Sequence, residues 1–89
     1  MGYYTVEFTV SVVDNKTAQY NDSEPKVIFK SEDYTEAITA LTKEAVKFLN
    51  ESEGRVVKSI ADSTIAVGRN DDDERYSTYY YFTLELHGF

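Results

Sequence analysis

The chain has 89 residues, 42% of them apolar, a formal net charge of −7 and no cysteine. This length makes one domain, and the lack of cysteine excludes disulfides, thiolate metal sites and a thiol nucleophile. The acid excess argues against direct binding to a nucleic-acid backbone or an anionic membrane surface, since both need clustered Lys and Arg.

No stretch approaches the ~20 apolar residues of a membrane span. The first residues enter a strand pattern directly, with no basic or apolar leader region, so a cytoplasmic protein is expected. Asn15, Asn21 and Asn50 each begin an Asn-x-Ser/Thr sequon. Without a secretory leader these are read as chance in a chain rich in Asn, Ser and Thr.

Tyr4, Val6, Phe8, Val10 and Val12 alternate with Thr5, Glu7, Thr9 and Ser11. Strict period-two alternation predicts a half-buried strand whose even-numbered residues face the core. Residues 14–25 are polar and reach Pro25, which predicts a loop longer than a tight hairpin needs. Residues 26–30 predict a short second strand, pairing with the first as a hairpin.

Ser31 is the expected helix N-cap, with Glu32 and Asp33 favouring the positive end of the helix dipole. Tyr34, Ala37, Ile38, Leu41, Ala45, Phe48 and Leu49 recur at spacings of three and four. They form one apolar stripe on a helix over about 32–51, and Gly54 suits its stop. Residues 55–60 resume strand character, the alternation slips at 61–63, and 64–67 continue it. The charged turn 68–75 leads to the last strand, 76–87. Its even positions, including Tyr76, Tyr80, Phe82 and Leu84, are expected to face the core.

The expected fold class is α+β: a four-stranded antiparallel sheet with one helix packed on one face, in the order β-β-α-β-β over residues 1–89. The odd-numbered face is then left without a covering element.

Asp71, Asp72, Asp73 and Glu74 form the densest charge cluster. A calcium loop needs alternating ligands, a turn glycine and a closing Glu at position twelve. Contiguous acids after Gly68 do not match that spacing, so a solvated hairpin tip is expected, with a partner contact and then a weak divalent site as the alternatives. His87 is the only histidine. With no nucleophile marked out by a motif it is read as a surface residue rather than a catalytic base. Gly2, Gly54, Gly68 and Gly88 are too scattered for a phosphate loop. No cofactor, metal site or catalytic residue is expected.

The eight tyrosines are the informative feature. Tyr3, Tyr79 and Tyr81 fall on the odd-numbered face among Thr5, Thr9, Ser11 and Thr83. Tyrosine suits a pleated surface whether or not anything binds. It also supplies a large, stiff, amphipathic contact area. Single-stranded nucleic acid uses stacked aromatics too, but within a basic channel that this sequence lacks.

From the helix onward the order is helix, strand, acidic turn, strand, ending in ERYSTYYYFTLEL. In outline this resembles the dodecins, small flavin-storing proteins with a β-α-β-β fold. That family's flavin-stacking tryptophan is missing, as is its short link from first strand to helix, so no binding residue is carried over. In character, a tiny acidic cysteine-free α+β chain also resembles phage-encoded accessory proteins, including inhibitors of host defence enzymes.

The expected function is a non-enzymatic acidic protein-binding module, a phage or mobile-element inhibitor of a host protein. Its partner would carry a basic surface. Tyr3, Tyr79 and Tyr81 would supply contact, with self-association through the same sheet face open. Asp14, Asp22, Glu24 and residues 71–74 would steer association. The alternative is an oligomeric small-molecule or cofactor-binding protein with sites between subunits.

Overall fold

The computed structural model describes residues 2–70 and 72–89. Its elements run β1 (Tyr3–Asp14), β2 (Gln19–Asp22), β3 (Lys26–Ser31), α1 (Tyr34–Glu51), β4 (Arg55–Ile60), β5 (Thr64–Arg69) and β6 (Tyr76–His87). The α+β class and the antiparallel sheet agree with the sequence. The strand count does not: the sheet has six strands, not four.

Both extra strands have a physical origin. β2 lies in the polar stretch expected to be loop. All four of its residues are exposed, so it carries no apolar alternation and is held by its backbone ladder to residues 11–14 of β1. β3 pairs with residues 4–8 of the same β1 edge. Ser23 bridges the gap, its N–H donating to Val10 O at 2.8 Å and its Oγ accepting from Val10 N at 2.9 Å. Pro25, which has no N–H to donate, lies in the break between the two strands.

The second extra strand comes from the slip at 61–63, where the chain turns back on itself. Ala61 N donates to Thr64 O at 2.8 Å, and β4 folds back antiparallel on β5 with Ile60 opposite Ile65.

The sheet order is β2-β1-β6-β5-β4, with β3 also on β1. Its spine is the pair β1–β6, in register from Tyr3 opposite His87 to Asp14 opposite Tyr76. In-register antiparallel pairing keeps even residues of both strands on one face. That face carries Val6, Phe82 and Leu84, which are buried with Val67 and with Ala37, Ala40, Leu41 and Ala45 of α1. The helix alanines let the backbone lie close to the sheet. Phe8, Phe48, Tyr80 and Phe82 close the core as an aromatic cluster, with centroids from 4.6 Å (Phe48–Tyr80) to 6.2 Å (Phe8–Tyr80).

The N-cap is Asp33, whose carboxylate accepts from Thr35 N at 2.8 Å. Ser31, expected in that role, ends β3 instead; its Oγ accepts from Asp33 N at 3.0 Å and donates to Glu36 at 2.8 Å. The C-terminus of α1 has no basic residue in its last turn. Arg55 of β4 takes that place: its Nη1 donates to Phe48 O at 2.7 Å, and its guanidinium lies 3.7 Å above the Phe48 ring. Gly54, at φ 84°, makes the left-handed turn between them.

An 18-residue helix spans about 27 Å, and a 12-residue strand about 40 Å. The helix therefore cannot cover the whole even face. Val12 and Tyr76, both at the far end and expected to face the core, are 40% and 44% exposed. Tyr34, at the opposite end of the helix stripe, is 52% exposed. Among the described residues no helix is long and apolar enough to cross a membrane.

Candidate functional site

The odd-numbered face carries no helix among the described residues. Its small residues are sheltered by their larger neighbours: Thr5, Ser11 and Ala66 are each only 4% exposed. Two side-chain groups lie on this face, one at each end.

The first joins β1, β3 and β6 at the His87 end. The His87 ring stacks on Tyr3 at 4.7 Å, and Lys30 Nζ sits 4.3 Å from the Tyr3 centroid. His87 Nε2 lies 2.8 Å from Thr5 Oγ1, which donates to Glu7 Oε2 at 3.0 Å. A hydroxyl that donates to the carboxylate accepts from the ring N–H, so the chain of hydrogen bonds runs from His87 through Thr5 to Glu7. Thr5 is too buried to meet a substrate, and its hydroxyl is committed at both ends. This cluster ties the first strand to the last. Glu85 shares the odd-numbered face with His87 two residues away, but the pairing of β1 with β6 brings Glu7 and Thr5 to the ring instead. Because 82 residues separate Thr5 from His87, no local spacing could signal it.

The second group is a groove of about 430 Å³ running along β1 near its far end. Thr9, Ser11 and Val13 form the floor. Tyr20 and Asp22 of β2 form one wall, and Tyr81 and Thr83 of β6 the other. The ladders fix this arrangement: Asp22 lies opposite Ser11 and Tyr20 opposite Val13, while Tyr81 lies opposite Thr9. Tyr79 stacks on Tyr81 at 6.4 Å. Burial pushes the Tyr81 phenol above its ordinary pKa of 10.0, with Tyr79 and the Asp22 carboxylate adding to the shift.

The acidic turn lies at the same end. Asn15 N donates to Arg75 O at 2.6 Å, and Asn15 Nδ2 donates to Ser77 Oγ at 2.9 Å. Arg75 in turn reaches Asp14 at 3.3 Å. Partial burial would raise the Asp14 pKa, but the Lys16 amide and the Arg75 guanidinium outweigh it and hold the carboxyl below its ordinary range. Asp73 Oδ1 accepts from Arg75 N at 2.8 Å, which shapes the turn. Asp72 is half-buried and Glu74 exposed, while Asp71 lies outside the described residues.

Of the residues singled out in the sequence, Tyr79, Tyr81, Asp72, Asp73 and Glu74 are thus brought to one end of the sheet. Tyr3 is not among them; it stands in the His87 cluster, eight residues along β6 from the register of Tyr79. Tyr20 is the groove residue that the sequence does not mark. Its only signal is a tyrosine two residues from Asp22 in a segment without apolar alternation.

Compared with protein-family models, curated proteins and solved structures, the chain matches none. The dodecin outline differs from the fold at a definite place. Three strands, β4, β5 and β6, follow the helix, where that outline has two.

Proposed function

We propose that this domain is a non-enzymatic binding module that docks a basic protein surface on the odd-numbered face of its sheet. The observation that carries this is the groove end of that face. Among the described residues no element covers it, two tyrosine rings wall it, and Asp22 is its only charged lining residue. Tyrosine supplies contact area at low entropy cost, and an acidic rim on a chain of net charge −7 favours encounter with a positive surface. An inhibitor of phage or mobile-element origin, acting by occupying a host protein, is the form of this proposal that suits so small and acidic a chain.

The steering part has its own test. Reversing Asp72, Asp73 and Glu74 to lysine should slow association with the captured partner by about tenfold or more at low salt. Dissociation should change little, and the difference should shrink as salt rises. Stopped-flow or surface-plasmon measurement reads this directly. An association rate unchanged by the triple reversal removes the acidic turn from the mechanism.

A further inference from the structure

Asp22 differs from most other carboxylates near it. Asp14 holds Arg75, Asp73 holds a backbone amide, and Glu7 holds Thr5. Among the described residues Asp22 has no cation and no hydrogen-bond donor on its side chain. Ser11, directly opposite it, is only 4% exposed and lines the groove, and its hydroxyl opens to the groove rather than to a hydrogen-bond partner among the described residues. The floor and one wall of the groove thus present unspent polar groups.

The rings repeat the pattern. Elsewhere this chain places its own cations over aromatic faces: Lys30 over Tyr3, Arg55 over Phe48 and Arg75 over Tyr76. None of the described residues puts a cation over Tyr20 or Tyr81. A carboxylate set among aromatic faces is the arrangement that holds organic cations, by direct charge and by the ring quadrupole together. The groove that holds Tyr20 with Tyr76 also has a carboxylate, Asp14, but that one is taken up by Arg75. Glu44 and Glu51 share theirs with Lys26, and Asp33, in the groove beside Phe29, is committed to the helix amides.

We infer that the groove between β2 and β6 is a binding site for an organic cation head group, ammonium or guanidinium, held by Asp22 in the groove that Tyr20 and Tyr81 wall. That the cation arrives as a lysine or arginine side chain of a partner rests on the function proposed above. The cation site itself does not, so it is tested on the isolated chain with small probes.

The test is an NMR titration with choline, N-acetyl-arginine amide and 3,3-dimethylbutanol, the neutral isostere of choline. Saturable shifts are expected at Ser11, Tyr20, Asp22 and Tyr81 with both cations, and about tenfold weaker binding of the isostere. Asp22→Asn, on an exposed edge strand where the fold is least at risk, should weaken the cations by about fivefold or more. Tighter binding of the arginine amide identifies a protein side chain as the natural occupant; tighter binding of choline identifies a free quaternary ammonium. Equal binding of the isostere, unchanged affinity in Asp22→Asn, or no saturable shift would each overturn the site. Such a failure leaves partner capture through the wider face untouched, and loss of partner capture leaves this titration untouched.

Discussion

Phe82→Ala is expected to destabilise the domain by about 3–5 kcal/mol. Phe82 is 3% exposed and touches both Phe8 and Phe48, with ring centroids 5.0 and 5.5 Å away. It joins β6, β1 and the helix at one point. Its removal loses the transfer free energy of the ring and leaves a cavity that a two-layer domain cannot close without moving α1. Against a total stability of about 5–15 kcal/mol, that brings the chain near its folding threshold. Leu86→Ala on the same strand and face is the control. Leu86 is 60% exposed, and its loss should stay within about 0.5 kcal/mol. Urea unfolding of the two variants reads the difference. Equal midpoints would mean that the helix does not pack where the structure places it.

Arg55→Met should cost about 1.5–3 kcal/mol, the range for a hydrogen bond made by a charged group. Methionine keeps much of the aliphatic packing and removes the guanidinium. The main contacts that go with it are the bond to Phe48 O at the end of α1 and the stacking on the Phe48 ring, with a longer approach to the Tyr80 ring at 5.8 Å. The loss is tempered by Arg55 Nε, which is buried without a partner and whose desolvation the variant relieves. The ion pair with Glu51 is a minor part, since it spans 3.9 Å and Glu51 is 53% exposed. Glu51→Gln should therefore change stability by less than about 0.5 kcal/mol. If Glu51→Gln costs as much as Arg55→Met, the ion pair rather than the carbonyl contact anchors the helix end.

The helix was legible in the sequence because its stripe is amphipathic and acids lead into it, although Glu32 and Asp33, expected in its first turn, precede Tyr34, with Asp33 as the cap. Tyr34 and Ala40 show the limit of that legibility. Periodicity marks the stripe, but the reach of the sheet decides that Ala40 is buried and Tyr34 is not. Strand alternation likewise assigned Val6, Phe82 and Tyr81 to their faces. It could not choose neighbours, because the even face of β1 looks the same whichever strand lies beside it. The β1–β6 spine, and with it the contact of Thr5 and Glu7 with His87, therefore stayed hidden. β2 was missed because an exposed edge strand needs only backbone bonds, which leave no mark on side-chain pattern. That omission matters most for the site, since β2 carries the Tyr20 and Asp22 wall of the groove. Tyr79 and Tyr81 were visible from alternation alone, whereas the wall facing Tyr81 came only with the fold.

In the proposed function the odd-numbered face at the groove end is the working surface. The direct measurement is quantitative affinity capture from a lysate of the source organism, comparing the wild-type chain with Tyr79→Ser/Tyr81→Ser. Both variant positions are half-buried on the face opposite the core, and circular dichroism confirms that the variant is folded. The wild type should retain a basic protein at low salt, with retention falling as salt rises. The variant should lose it by about thirtyfold, the effect of removing aromatic anchors worth about 2 kcal/mol. The same proteins captured in the same amounts by both chains, or none retained by the wild type, would contradict the account.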